Sequence, residues 1–209
     1  MSKSGLREVF ALWSEPCVEG WRSYGERVTK RLFIGLEVSS ACAETLVALD
    51  AGAKGVEWLP AERLHLPLSL HWTVGQEEEQ RLRDALDEVQ VAPFFLPITG
   101  LRSHGRAPSV AISVGVGKGH PHFFALHRFI QDAVLRAQLQ ADLKPFHPEI
   151  IVARASEPPQ GKFLKFLREN ADAEFCLLHM QGFALFQVDR GPLGSDVEVA
   201  ERWAFAEEG

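Results

Sequence analysis

No stretch of this 209-residue chain approaches the roughly 20 consecutive apolar residues of a membrane-spanning helix, so no such helix is predicted. The opening Met1-Ser-Lys-Ser-Gly-Leu-Arg-Glu8 carries charge but no following apolar core and cleavage site, and no secretory signal is predicted. Cysteine is sparse. Cys17, Cys42 and Cys176 show no CxxC spacing, and this odd, unpatterned count predicts reduced, buried thiols in a cytoplasmic protein, not a disulfide scaffold or zinc site. Positive charge does not prevail either. With 22 Lys and Arg against 28 Asp and Glu, the formal net charge is −6, which excludes a basic surface for gripping duplex DNA. A small site that reads an RNA end or a nucleotide stays open. The glycines at 115, 117 and 119 lack a P-loop pattern and read as a turn. His120, His122 and His127 have no cysteine or carboxylate at ligand spacing, so neither metal nor cofactor is predicted.

What is present suffices for one sizeable domain, or at most two small ones. Residues 1–30 read as an N-terminal extension whose Val9-Phe-Ala-Leu-Trp13, Trp21 and Tyr24 pack aromatics on the domain, with a protein-partner arm as the alternative. The domain itself spans residues 31–209. Arg31–Val38 is a strand by its β-branched and aromatic content, and Ser39 or Ser40 caps a helix from Ala41 to about Ala51. Alternation predicts one long strand from Leu64 to Val74. Gln76–Gln90 is a polar helix with a narrow stripe of Leu82, Leu86 and Val89. Phe94–Thr99 is a strand followed by a loop holding Arg102, His104 and Arg106, and Val110–Val114 is the next strand. A long helix runs from Pro121 to about Gln140. A strand over Pro145–Ala153, a basic helix over Lys162–Asn170 and strands at Phe175–Leu178, Gly182–Val188 and Val197–Phe205 complete the order.

Two of these segments carry the functional signal: Trp58-Leu-Pro-Ala-Glu-Arg-Leu-His-Leu-Pro-Leu68 and Lys144-Pro-Phe-His-Pro-Glu-Ile-Ile-Val-Ala-Arg154. Each is an apolar strand entered through proline, with His65 and Pro67 on one face of the first and Glu149 and Ile151 on one face of the second. Together with Arg31-Leu-Phe33 and Phe183-Ala-Leu-Phe186, their order resembles the two-histidine phosphoesterases, in the branch of the RNA 2′,3′-cyclic phosphodiesterases or 2′-5′ RNA ligases. The resemblance implies an α+β fold from Arg31 to about Phe205, with two antiparallel sheets and flanking helices forming two lobes around a central cleft.

In that family each signature strand reads His-x-Thr-x. The two imidazoles serve as general base and acid on a cyclic phosphate, and the two hydroxyls bind its oxygens. This chain keeps His65 and has Pro67, Glu149 and Ile151 in the other three places. The resemblance thus implies catalytic positions at His65 and Glu149, with His147 shaping the strand entry. Arg154, Arg102 and Arg106 are candidate phosphate contacts at the cleft rim, with solvated loop arginines as the alternative reading. Losing two donors costs ~10⁴-fold or more if each resembles an oxyanion-hole donor. A carboxylate ~4 Å from a phosphate adds repulsion on the order of 4 kcal/mol at an effective dielectric of ~20. Hydrolysis is therefore expected to be lost or strongly weakened, with a nucleotide or RNA end bound in the cleft and a His65–Glu149 pair across it. One alternative is an active phosphodiesterase using His65 with Glu149, His147 or His71. The literal His71-Trp-Thr73 pattern stands ~20 Å from His65 if the strand is continuous. Another alternative is an interaction module acting through residues 1–30.

Overall fold

The structure, a computed structural model, describes residues 29–142, 144–191 and 194–206; the readings of the N-terminal arm and Cys17 lie outside them. In chain order the elements are β1 (Lys30–Glu37), α1 (Ser40–Val47), β2 (Val56–Trp58), β3 (His65–Pro67), β4 (Trp72–Val74) and α2 (Gln76–Leu86). Then come β5 (Phe94–Arg106), β6 (Ser109–Val116), α3 (Pro121–Arg136), β7 (Glu149–Ala155), α4 (Gly161–Glu169), β8 (Glu174–Met180), β9 (Gly182–Gly191) and β10 (Gly194–Ala204).

Two five-stranded antiparallel sheets result. One has the order β10-β9-β1-β3, with β4 also pairing β1; the other is β2-β7-β6-β5-β8. This is the expected α+β arrangement. β1 is central in the first sheet and buried on both faces: Leu32, Ile34 and Leu36 enter the main core, while Phe33 joins a smaller cluster with Ala184, Phe186 and Val188. Helix α1 starts where Ser39 accepts a hydrogen bond from the Cys42 N–H, and α3 buries Phe123, Leu126, Ile130 and Val134 along one stripe. No described helix is long and apolar enough to cross a membrane.

Three expectations need correction. First, the strand read as continuous over Leu64–Val74 is broken between β3 and β4. There the Ile34 N–H donates to the Ser69 hydroxyl instead of a strand carbonyl, at 2.8 Å, and the intervening residues leave the ladder. Second, the loop expected after Thr99 is instead the continuation of β5 to Arg106, paired with β6 throughout. Third, Cys42 and Cys176 are not reduced thiols. They form a disulfide between α1 and β8, Cα–Cα 5.6 Å, which removes the cysteine argument for a reducing compartment.

Candidate functional site

Bulges in the second sheet decide which side chains face the first. Gly100 is an extra residue in β5, between Thr99 opposite Gly115 and Leu101 opposite Val114. Its φ is +72°, and a Cβ there would meet the Ala171 carbonyl oxygen at 2.7 Å, so glycine is required. Before the bulge Phe94, Leu96 and Ile98 point to the core; after it Leu101 does, which puts Arg102 and His104 on the opposite face. A second irregularity, at Val152 between the Ile112–Ala153 and Ser113–Ile151 pairs, brings Glu149, Ile151 and Arg154 to that same face.

A cleft of about 510 Å³ lies between the sheets. The first sheet contributes Arg31, His65 and Pro67, and the second contributes Glu57, Ile151 and Arg154. Arg63 and His71 enter from the connections either side of β3, and Val188 and Val197 form an apolar wall. Of the residues singled out from sequence, His65, Pro67, His71, Ile151 and Arg154 line this cleft. Glu149, Arg102, Arg106 and His147 do not. His147 is exposed ahead of β7, and Arg106 is exposed at the end of β5.

His65 packs on Phe33 and Phe186, with ring centroids 4.8 and 5.5 Å away. Burial among these rings pushes its pKa down to about 4; the nearby His71 lowers it further, against a hydrogen bond to the Arg63 carbonyl. The imidazole is therefore neutral near pH 7. With Nδ1 3.0 Å from the Arg63 oxygen, the N–H sits on Nδ1 and the Nε2 lone pair is left to accept a proton. Pro67 occupies the register position opposite Gly35, while the next N–H, on Leu68, donates to Ile34 at 2.8 Å. Successive N–H groups alternate sides, so the amide that proline lacks would point away from β1 and its absence spares the ladder.

His71 reaches the same cleft because of the break between β3 and β4. Its ring lies 4.6 Å from Phe33, so both imidazoles rest on one phenyl group. Burial and then Arg31 hold the His71 pKa below its usual value.

Glu149 has partners other than the expected one. Its Oε2 accepts from the Ser113 hydroxyl at 2.7 Å, and its Oε1 lies 3.2 Å from His104 Nε2. His104 Nδ1 is in turn 3.4 Å from Ser113 Oγ, which closes a triangle on the second sheet. The anticipated His65–Glu149 pair is thus replaced by a His104–Glu149 pair. Glu149 is held by Ser113 and His104, while the carboxylate that lines the cleft is Glu57.

Sequence reasoning missed Arg31, Arg63, Ser113 and the pairing of His104. Arg31 and Arg63 stand within the signature segments but were given no role; face parity with Phe33 along β1 and with His65 was the available signal. Ser113 and His104 become neighbours only through long-range pairing. Among the described residues no cluster of His, Cys, Asp and Glu could hold a metal ion.

No protein-family model matches the chain. An RNA 2′,3′-cyclic phosphodiesterase of Archaeoglobus fulgidus is 24% identical over 178 residues, covering 82% of this chain and 99% of the relative. Escherichia coli LigT in complex with 3′-AMP superposes with a TM-score of 0.73 at 18% identity, covering 86% of this chain and 99% of that one. A Thermus thermophilus protein gives a TM-score of 0.67 at 22% identity, over 86% and 100% of the two chains. Structures of the Escherichia coli protein with ATP, NADP+ and phosphate are likewise similar.

Proposed function

We propose, from its LigT-like fold and its similarity to an RNA 2′,3′-cyclic phosphodiesterase, that this chain is a two-histidine phosphoesterase whose cleft binds a nucleotide or RNA end through the terminal phosphate and hydrolyses 2′,3′-cyclic phosphates only weakly. The observation that carries this reading is the company around His65. Arg31, Arg63 and Arg154 line the cleft with it, and so do Pro67 and Ile151, which the resemblance puts in the places of hydroxyl donors. Guanidinium groups match phosphate in charge and fork geometry. Binding is thereby favoured, while the hydroxyl donors that would steady the transition state are missing.

In the residual reaction a water attacks phosphorus and gives its proton to Nε2 of His65. One of the two ribose P–O bonds breaks, and the freed ribose oxygen takes a proton from solvent to become a hydroxyl. His65 then returns its proton to water. The 3′-AMP complex of the Escherichia coli relative makes this ligand the natural probe.

The test is calorimetric titration with 3′-AMP beside a turnover assay with 2′,3′-cyclic AMP. Wild-type protein binds 3′-AMP with salt-sensitive affinity, and Arg154→Ala weakens that binding by roughly 10- to 100-fold, as for loss of one charge-assisted hydrogen bond. Turnover is slow and disappears in His65→Ala. A wild-type protein with no affinity for 3′-AMP overturns the reading.

A further inference from the structure

We propose that His104 supplies the second imidazole of this site, with Glu149 and Ser113 as its positioning residues. The inference rests on the phosphate-binding reading above and extends it to a residue outside the signature strands. Ile151 lines the cleft and pairs directly with Ser113, so the two side chains are same-face neighbours in the ladder. His104 reaches Ser113 from the far side, so one buried hydroxyl separates its ring from the Ile151 wall of the cleft.

The triangle is built, not accidental. Ser113 is 1% exposed, one of two buried polar or charged side chains among the described residues, in a strand that otherwise buries Val110, Ile112 and Val114. A hydroxyl buried there needs partners, and it finds Glu149 and His104. The carboxylate then fixes the imidazole through Nε2, as an acid orients a histidine in many sites. The His104 side chain is nevertheless 47% exposed, and its Nδ1, held by the longer 3.4 Å contact to Ser113, is the nitrogen that exchanges that contact for a ligand. Arg102, two residues away on the same face, adds positive charge beside it.

A Ser-His-acid hydrolase is a different use of the same three residue types, and the geometry disfavours it. Ser113 is covered, and its hydroxyl donates to the carboxylate instead of the imidazole. His104 is the accessible member.

The experiment combines turnover of 2′,3′-cyclic AMP with NMR of the His104 ring during titration with 3′-AMP, on the full chain. His104→Ala lowers kcat at least 10-fold with an unchanged melting temperature. His104→Gln, which keeps a hydrogen-bonding side chain without a titratable nitrogen, loses activity to the same extent. A purely structural histidine would be replaced by glutamine without that loss. The His104 ring resonance shifts as 3′-AMP saturates the protein, which decides the matter even where turnover is too slow to follow. If folded His104→Ala matches wild type in turnover and affinity, and the His104 ring ignores 3′-AMP while His65→Ala and Arg154→Ala impair the site, the proposal falls and the phosphate-binding reading stands. If wild type fails to bind 3′-AMP, both fall.

Discussion

The Nδ1 of His65 lies 3.0 Å from the carbonyl oxygen of Arg63, two residues earlier in the chain. That contact fixes the tautomer, and the surrounding phenyl rings fix the charge. Burial brings the folded-state pKa to about 4, while the ordinary value is 6.5. Between these values the unfolded chain holds a proton that the native chain refuses. Stability is therefore full above pH 6.5 and declines as pH falls toward 4, by on the order of 2 kcal/mol from this residue. His71 and His127, also lowered by burial, act in the same direction. Urea denaturation at several pH values checks this. His65→Gln should flatten the decline, and an unaltered slope would contradict the neutral, buried imidazole.

Hydroxyl groups can be put back. Pro67→Thr together with Ile151→Thr should raise kcat for 2′,3′-cyclic AMP by about 10²-fold or more, since single oxyanion-type donors contribute that much elsewhere. Pro67 sits where no ladder hydrogen bond depends on its nitrogen, so the exchange leaves β3 intact. A well-folded double variant with wild-type kcat would show that these positions do not touch the phosphate.

Gly100 supports the face on which His104 stands. Gly100→Ala forces a side chain into a left-handed backbone and against the Ala171 carbonyl oxygen. A loss of roughly 1–3 kcal/mol is expected from the conformation alone. Thermal denaturation measures it, and full wild-type stability would mean that the bulge is absent in solution.

The Cys42–Cys176 link spans 134 residues of sequence. Its removal should lower stability by about 2–5 kcal/mol, as for bridges closing long loops. Thiol titration of the denatured, unreduced protein should detect Cys17 alone, and all three cysteines after reduction. Three reactive thiols without reductant would exclude the bond.

How much of this was legible beforehand follows from particular residues. The α+β order was readable because β1, α3 and β7 carry local periodicity strong enough to survive tertiary packing. Arg154 and His65 were readable from their motifs. The second half of β5 was not. Gly100, Gly105 and Pro108 are turn residues by composition, and the polar run between them looks like a loop until β6 pairs with it. That misreading hid His104 from Glu149. The cleft arginines were hidden for a different reason: Arg31 and Arg63 meet Arg154 only when the two sheets face one another. Cys42 and Cys176 likewise gave no local sign of pairing.

Between the Pro67–Gly35 and Trp72–Leu32 pairs, four residues on one strand face two on the other. The surplus is even, so the detour ends in phase with its beginning. An odd surplus would have turned His71 inward and left Trp72 in water. As built, the first lobe carries two histidines on a common aromatic base, and a chain with one imidazole in reserve can lose another from the opposite lobe without emptying the site of basic nitrogen.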